Sequence, residues 1–467
     1  MRTLVMKFGG SSIGMTTGLT QMVRVLLAER ERWQRLVVVV SALDGVTDAL
    51  LDAAQQARSG NRRGYRRIIA TLRTRHSALL TLMAMGPAEH ASLHADIDRL
   101  LYELLDWCQE LASGQATLAR EEALTDAIVG AGERLAARIV ASLLRNHQLL
   151  SVAVDATDLI VSDTTHGHAS PDYALSRSRC RTVLLPLLER RILPIVTGFI
   201  AMGTHNQPTT LGRGGSDLTA AVLAIALDAD EVWLWTDVDG MMSADPSKIP
   251  DAHSIAEISY DEAADLAFFG ARILHAHMVR PLATAGIDIR ICNINRPGDS
   301  GTRIHGNVPN GPAIRSVTST AGVGLVAAVS GSVHEAIGFV DSVLQDLTGS
   351  HIEATLVAQS AGKSIVCFVI PASAGLEAPH DLLVNVQERL PSRGVEHWEA
   401  HPISVLTLAG AMHSEQVHTL AAALGAVDDL GVLAASINPS GVSVSLAVDG
   451  RDEPDALERL HTLVARS

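Results

Sequence analysis

The sequence predicts an α/β architecture: a doubly wound sandwich, followed by two smaller modules. Three observations predict it. Strand-like runs alternate with helical periodicity from the first residues to Cys292. The run Leu36–Val40 is continuously apolar and largely β-branched, the signature of a strand buried on both faces of a parallel sheet. Beyond a connector at 295–314, rich in glycine and proline, the order of elements changes to βαββα and then repeats. At 467 residues the chain is also too long for one ordinary core.

In chain order, Leu4–Phe8 is a short strand that ends in Gly9, Gly10, Ser11 and Ser12. A helical pattern runs from about Leu19 to Trp33, and the strand Leu36–Val40 follows. The stretch Tyr65–Leu111 is mostly helical by period, Leu124–Leu144 is a further helix, and Leu150–Val154 a further strand. Strands are expected at Ile192–Val196, Glu231–Trp235 and Ile287–Cys292, with a helix Asp217–Leu227 between the first two. Past the connector, one βαββα unit comprises Val323–Val329, Ala336–Leu347, Ile352–Val357, Ile365–Ile370 and His380–Leu390. The second comprises Ile403–Leu408, Glu415–Ala426, Val432–Ile437, Val442–Ala447 and Pro454–Val464. Each unit needs a partner to cover one sheet face, and neither holds a catalytic cluster, which points to regulation or assembly. The expected domains are 1–295, 315–392 and 400–467.

Composition narrows the function. Hydrophobic residues make up 47% and charged residues 19%, a globular balance. Aromatics are only 3%, so Ala, Leu, Val and Ile must build the cores. Thirty-seven basic against 51 acidic residues give a net charge of −14, without the sustained basic stripe that nucleic acid would require. The arginines at 62, 63, 66 and 67 read as one exposed helical turn. Cys108, Cys180, Cys292 and Cys367 are too scattered for a zinc knuckle or a disulfide framework. With no signal-peptide pattern and no long apolar run, a cytoplasmic protein without membrane partners is expected.

Two glycine-rich loops carry the chemistry. In KFGGSS at 7–12, glycines let the backbone approach phosphate oxygens, and Lys7 adds a point charge. The lysine precedes the glycines, so this is not a Walker A loop, and the GxGxxG spacing of a dinucleotide fold is absent. TTLGRGGSD at 209–217 puts three glycines before a helix whose N-terminus would face an anion. Asp217 cannot attract phosphate, but it can orient Lys7 or hold Mg²⁺ beside the phosphates. Two such loops suit the two ends of a transferred phosphoryl group. WTDVDG at 235–240 and Ala244-Asp-Pro246 follow a strand and can contact ribose and base, or simply cap turns through Asp237, Asp239 and Asp245.

At this point the chain resembles aspartate kinase, of the amino-acid kinase superfamily. The matching strings are KFGGSS at 7–12, VVVVSALDGVTD at 37–48 (the run that includes the buried strand) and GE at 132–133. GFIA at 198–201, TTLGRGGSD at 209–217, WTDVDGMMSADP at 235–246 and SYDEAADLAFFGARILHA at 259–276 continue the match in order. The tail looks like the tandem ACT domains of that family, so the resemblance covers nearly the full chain. It implies an amino-acid-kinase sandwich with C-terminal ACT-like, ferredoxin-like regulatory domains.

The resemblance also implies roles. Lys7, Gly9, Gly10 and Ser11 would hold the transferring phosphate. Gly214, Gly215, Ser216 and Asp217 would connect the phosphate and substrate halves. Ser41 and Thr47 would line the amino-acid pocket, and Glu133 would pair with the substrate ammonium. Thr236, Asp237, Asp245 and Arg272 would belong to the nucleotide side. In His166–Asp172, where an arginine for the α-carboxylate is expected, neither His168 nor Ser170 is arginine, and His168 is the candidate there. Arg272 stands where the family has lysine, and Ser247 where it has arginine, with Lys248 beside it. The implied reaction is ATP- and Mg²⁺-dependent phosphorylation of the L-aspartate side chain, towards lysine, threonine and methionine. A changed small-carboxylate substrate, or a non-catalytic amino-acid sensor, are the alternatives. Lysine or threonine would act as effector at the tail, in a homodimer or higher homo-oligomer. The loop at 329–333 and the pair Gln359-Ser360 are the expected effector features.

Overall fold

A computed structural model describes residues 2–270, 274–308, 314–327, 333–348, 352, 354–360, 363–370, 378–389, 398–412 and 415–464. The chain divides into two compact units, Met1–Asp239 with His277–His305, and Gly240–Ala276 with Gly306–Ser467.

In the first unit, β1 (Thr3–Phe8) leads through a single turn, α1 (Gly10–Ile13), to α2 (Thr16–Arg32) and β2 (Arg35–Val40). Five helices follow: α3 (Val46–Arg58), α4 (Arg62–Leu82), α5 (Pro87–Leu111), α6 (Leu118–Val129) and α7 (Ala131–Asn146). The helical stretch expected at Tyr65–Leu111 is thus two helices. Pro87 is the reason, because it starts α5 and cannot continue a helix from upstream. The helix expected at Leu124–Leu144 is likewise two, meeting at Gly130. Then come β3 (Ser151–Val154), β4 (Val161–Ser162), α8 (Tyr173–Glu189), β5 (Leu193–Thr197), β6 (Ile200–Gly203), β7 (Pro208–Thr210), α9 (Gly215–Ala226) and β8 (Glu231–Thr236).

After β9 (Glu257–Ile258) and α10 (Tyr260–Phe268) of the second unit, the chain returns to the first with α11 (Ala276–Ala285), β10 (Asp288–Asn293) and β11 (Thr302–Ile304). The main sheet of this unit runs β3-β5-β2-β1-β8-β10-β11. All neighbours are parallel except β10 and β11. Leu4, Met6 and Phe8 share a core with Leu36, Val38 and Val40 and with the apolar faces of the flanking helices. Phe8 stacks on Trp235 at the sheet's C-terminal edge, centroids 5.9 Å apart. The small sheet β4-β6-β7, with strands of two to four residues, is too short to leave a period-2 pattern and was not expected from sequence.

The second unit continues with β12 (Ser316–Ala327), α12 (Val333–Thr348), β13 (Ala354–Ser360), β14 (Lys363–Val369) and α13 (Ala378–Arg389). It closes with β15 (Trp398–Ala409), α14 (Gln416–Ala426), β16 (Val432–Ile437), β17 (Ser443–Asp449) and α15 (Glu453–His461). The two βαββα modules join edge to edge in one six-stranded sheet, β13-β14-β12-β15-β17-β16. β12 and β15 pair antiparallel along their whole length, from Ser316–Ala409 to Ala327–Trp398. Val323 and Leu325 at one end of β12 pack under α12 and α13, while Val317 at the other packs under α14 and α15. The opposite face is also covered: Leu356, Cys367 and Val369 pack with Ile403, Val405, Ala434 and Ala447. The modules therefore supply for each other the cover that a lone sheet face lacks.

Replacing Phe8 by Ala leaves a cavity at the edge that carries the site. The expected loss of stability is about 3–5 kcal/mol, read as a lower denaturant midpoint at an unchanged slope.

Candidate active site

β1, β2, β5 and β8 run parallel, so the loops that follow them gather at one edge of the sheet. Backbone bonds tie these loops together. Ser41 N–H donates to the Phe8 carbonyl at 3.1 Å, and Gly198 N–H to the Val40 carbonyl at 2.8 Å. Gly10 lies against the β2 loop so closely that a Cβ there would sit 2.8 Å from the Ala42 carbonyl oxygen. Gly10 and Ser11 open the single turn α1, whose first N–H groups have no intrahelical acceptor. Gly9 N–H instead goes to the Trp235 carbonyl at 3.4 Å, and the Ser12 hydroxyl donates to the same oxygen at 3.1 Å.

The second glycine loop enters from β7 and ends at α9. Gly214 is its cap, in left-handed backbone at φ 68°, and Gly215, Ser216 and Asp217 form the first turn. Asp217 Oδ1 is 2.7 Å from Lys7 Nζ, both side chains being largely buried. The Ser41 hydroxyl donates to Ser216 Oγ at 2.9 Å. Lys7 and Asp217, which the sequence expected to act together, are thus in contact, and Ser41 touches Ser216 of the same loop. Thr47 stands in the first turn of α3, half-buried, behind the loop that holds Ser41.

Glu133 lies in the first turn of α7 and is 3% exposed. Its Oε1 accepts the Ala42 N–H at 3.1 Å, and Oε2 has no partner among the described residues. Burial pushes its pKa from 4.5 up to about 8, against the pull of the Ala42 bond. A buried carboxyl with one unpartnered oxygen beside the loop after β2 keeps acceptor capacity for a further donor.

On the side expected to bind nucleotide, the Thr236 hydroxyl donates to Asp237 Oδ1 at 3.1 Å at the end of β8. Asp239 is engaged by Asn293 at 2.5 Å and by Arg296, so it ties the loop after β8 to the end of β10 and the loop that follows. Asp245 belongs to the second unit, where Oδ1 accepts from the Ser247 N–H at 2.9 Å and hydroxyl at 2.6 Å. Arg272 and the loop at 329–333 up to Ser332 lie outside the described residues, and of Gln359-Ser360 only the strand backbone is described. Among the described residues no group of three or more His, Cys, Asp or Glu side chains is arranged to hold a metal ion, and no helix is long and apolar enough to cross a membrane.

His168 is exposed, on a loop lying against Gly212. Sequence reasoning passed over two features here. Arg213 sits in the glycine loop itself, four positions before Asp217, between Gly212 at φ 71° and Gly214 at φ 68°. The signal was available: a guanidinium flanked by glycines matches a carboxylate or phosphate in shape. The other is a buried pair, His166 Nδ1 to Asp126 Oδ2 at 2.7 Å, which no spacing announces.

The model of the amino acid kinase family, by its description "Amino acid kinase family", matches residues 2–293. The chain belongs to that family. It is 27% identical over 461 residues to lysine-sensitive aspartokinase 3 of Escherichia coli, covering 98% of each chain. It is 29% identical over 479 residues to bifunctional aspartokinase/homoserine dehydrogenase 2, chloroplastic, of Arabidopsis thaliana, and spans 50% of that longer relative. The fold matches that of E. coli aspartokinase III in complex with aspartate and ADP, at TM-score 0.79 and 25% identity over 99% of this chain and 100% of the other. This amino acid kinase is aspartokinase-like along nearly its whole length, and the paired modules of its second unit are ACT-like.

The titration of Glu133 has a stability consequence. A carboxyl whose folded pKa is raised stabilises the fold while protonated; that contribution is complete below about pH 4.5 and is lost as pH rises through about 8. Denaturant unfolding of the wild type should therefore show stability falling between about pH 5 and about pH 8. In Glu133→Gln, which still accepts the Ala42 N–H, this component of the fall should be absent.

Proposed function

We propose that this chain transfers the γ-phosphoryl group of ATP to the side-chain carboxylate of L-aspartate, forming 4-phospho-L-aspartate and ADP. The 2.7 Å pair of Lys7 and Asp217, joining two glycine loops at one sheet edge, carries the reading. A carboxylate is already an ionised nucleophile at neutral pH, so the reaction needs no strong base. It needs alignment and relief of negative charge. One carboxylate oxygen attacks the γ-phosphorus, the bond to the β–γ bridging oxygen breaks, and that oxygen leaves with ADP.

In this reading Lys7, with Gly9, Gly10, Ser11, Gly214 and Gly215, cradles the transferring phosphate, and Lys7 stabilises the charge that develops on it. Asp217 orients Lys7. Mg²⁺, which screens the phosphates during transfer, would be held chiefly by ATP, with Asp217 the carboxylate nearest Lys7. Ser41, Ser216 and Thr47 line the amino-acid side. Glu133 takes the substrate ammonium on its unpartnered oxygen, ionising as the cation arrives. Arg213 is the better candidate than His168 for the α-carboxylate, because it is a permanent cation on the loop that carries Ser216 and Asp217. Thr236 and Asp237 serve the nucleotide, and the resemblance adds Asp245 and Arg272. The modules at 315–392 and 400–467 are proposed to bind lysine or threonine as effector and to assemble the chain with a second copy.

The test is Mg·ATP turnover by the purified chain with hydroxylamine as acyl-phosphate trap, offered L-aspartate, L-glutamate or N-acetylglutamate. Hydroxamate from aspartate alone is the expected result. Hydroxamate from another acid only would reassign the substrate, and none at all with ATP still bound would point to a sensor. With an active wild type, Lys7→Met should lower kcat by about 10²–10³-fold while KM for the amino acid stays within about threefold of wild type, as expected for a group that acts mainly on the developing charge.

A further inference from the structure

Helices α6 and α7 meet at Gly130, and each directs one buried carboxylate to a different loop of the site. Glu133 takes the N–H of Ala42, in the loop after β2. Asp126, in the last turn of α6 and 5% exposed, takes three donors. The Thr210 hydroxyl reaches Oδ1 at 2.7 Å, His166 Nδ1 reaches Oδ2 at 2.7 Å, and the Gly167 N–H reaches Oδ2 at 3.2 Å. Thr210 ends β7, and the glycine loop with Arg213, Ser216 and Asp217 begins directly after it. The segment after His166 rests on that same loop. Ala169 N–H donates to the Thr210 carbonyl at 2.8 Å, and a Cβ on Gly212 would meet Gly167 O and His168 Cβ at 3.2 Å.

Burying a carboxylate is unfavourable unless its oxygens are well bonded, and an apolar side chain would fill the same space more cheaply. What a carboxylate with both oxygens engaged adds is direction: it fixes where its donors stand as well as how far away. Burial raises the pKa of Asp126, while Thr210, His166 and Gly167 pull it back. All three donors belong to the two segments that shape the glycine loop, and none to the bulk of the helical layer.

We propose that Asp126 and His166 are positioning residues for the phosphoryl transfer, holding the root of the glycine loop so that Arg213, Ser216 and Asp217 keep their place opposite Lys7 and Ser41. The kinetic part of this rests on the kinase reading above; the mechanical part does not. Asp126→Asn keeps an acceptor for Thr210 but turns an amide towards two donors. His166→Ala removes one donor, and His166→Asn restores an N–H close to where Nδ1 stood.

The experiment uses the full chain and two readouts. Hydrogen–deuterium exchange should be faster in Asp126→Asn and His166→Ala for peptides covering 211–218, with the rest of the first unit and the thermal midpoint near wild type, and close to normal in His166→Asn. With whichever amino acid the wild type phosphorylates, kcat should fall about tenfold or more in the first two variants, the size of effect expected from misplaced reacting groups, and recover in His166→Asn. Unchanged exchange over 211–218 in both variants would overturn the proposal. So would exchange raised evenly through the unit, or no recovery in His166→Asn. A wild type inactive on every amino acid would sink the kinase reading alone, and the exchange result would still decide the positioning role.

Discussion

Lys7 reaches Asp217 because β1 lies between β2 and β8 in a sheet that is parallel throughout this region. From β1 the chain goes to one side through β2, and it crosses to the other only at β8. Loops leave such a point in opposite directions and open a crevice at the C-terminal ends of the strands. Both members of the pair are mostly buried, so either one alone would be a costly charge. Paired, they hold the two glycine loops together.

The same logic of buried charge recurs elsewhere in the chain. Glu133 avoids the cost of ionisation by holding its proton to about pH 8. Asp126 meets it with three donors. In the second unit Glu262 forms a capping box with Ser259 and receives the guanidinium of Arg315 at 3.2 Å, the carboxylate and guanidinium both nearly inaccessible to solvent. These groups sit where chain segments distant in sequence must be held in a set direction, which apolar packing alone does less selectively.

The second unit shows how two small modules solve a surface problem together. A three-stranded βαββα layer covers one sheet face with its helices and leaves the other bare. Here β12 and β15 are long enough to serve both modules, and the bare faces meet over Leu356, Ile403, Val405 and Ala447. Small residues such as Ala434 and Ala447 let the halves approach. An unbroken ladder between the modules links any change in one directly to the backbone of the other.

Local pattern alone determined the alternation of the main strands with helices, the buried strand at Leu36–Val40 and the two glycine loops with Lys7 and Asp217. Periodicity and the conformational demands on glycine act within a few residues, so they are written in the sequence at that scale. The break at Gly130, the short strands Val161–Ser162 and Pro208–Thr210, and the doubled cover of the second sheet were not legible there. Nor were the single unpartnered oxygen of Glu133 or the bond from His166 to Asp126. Only the tertiary structure decided these, because burial and hydrogen-bond partnership depend on which distant segments the parallel register brings together, and no spacing along the chain encodes that.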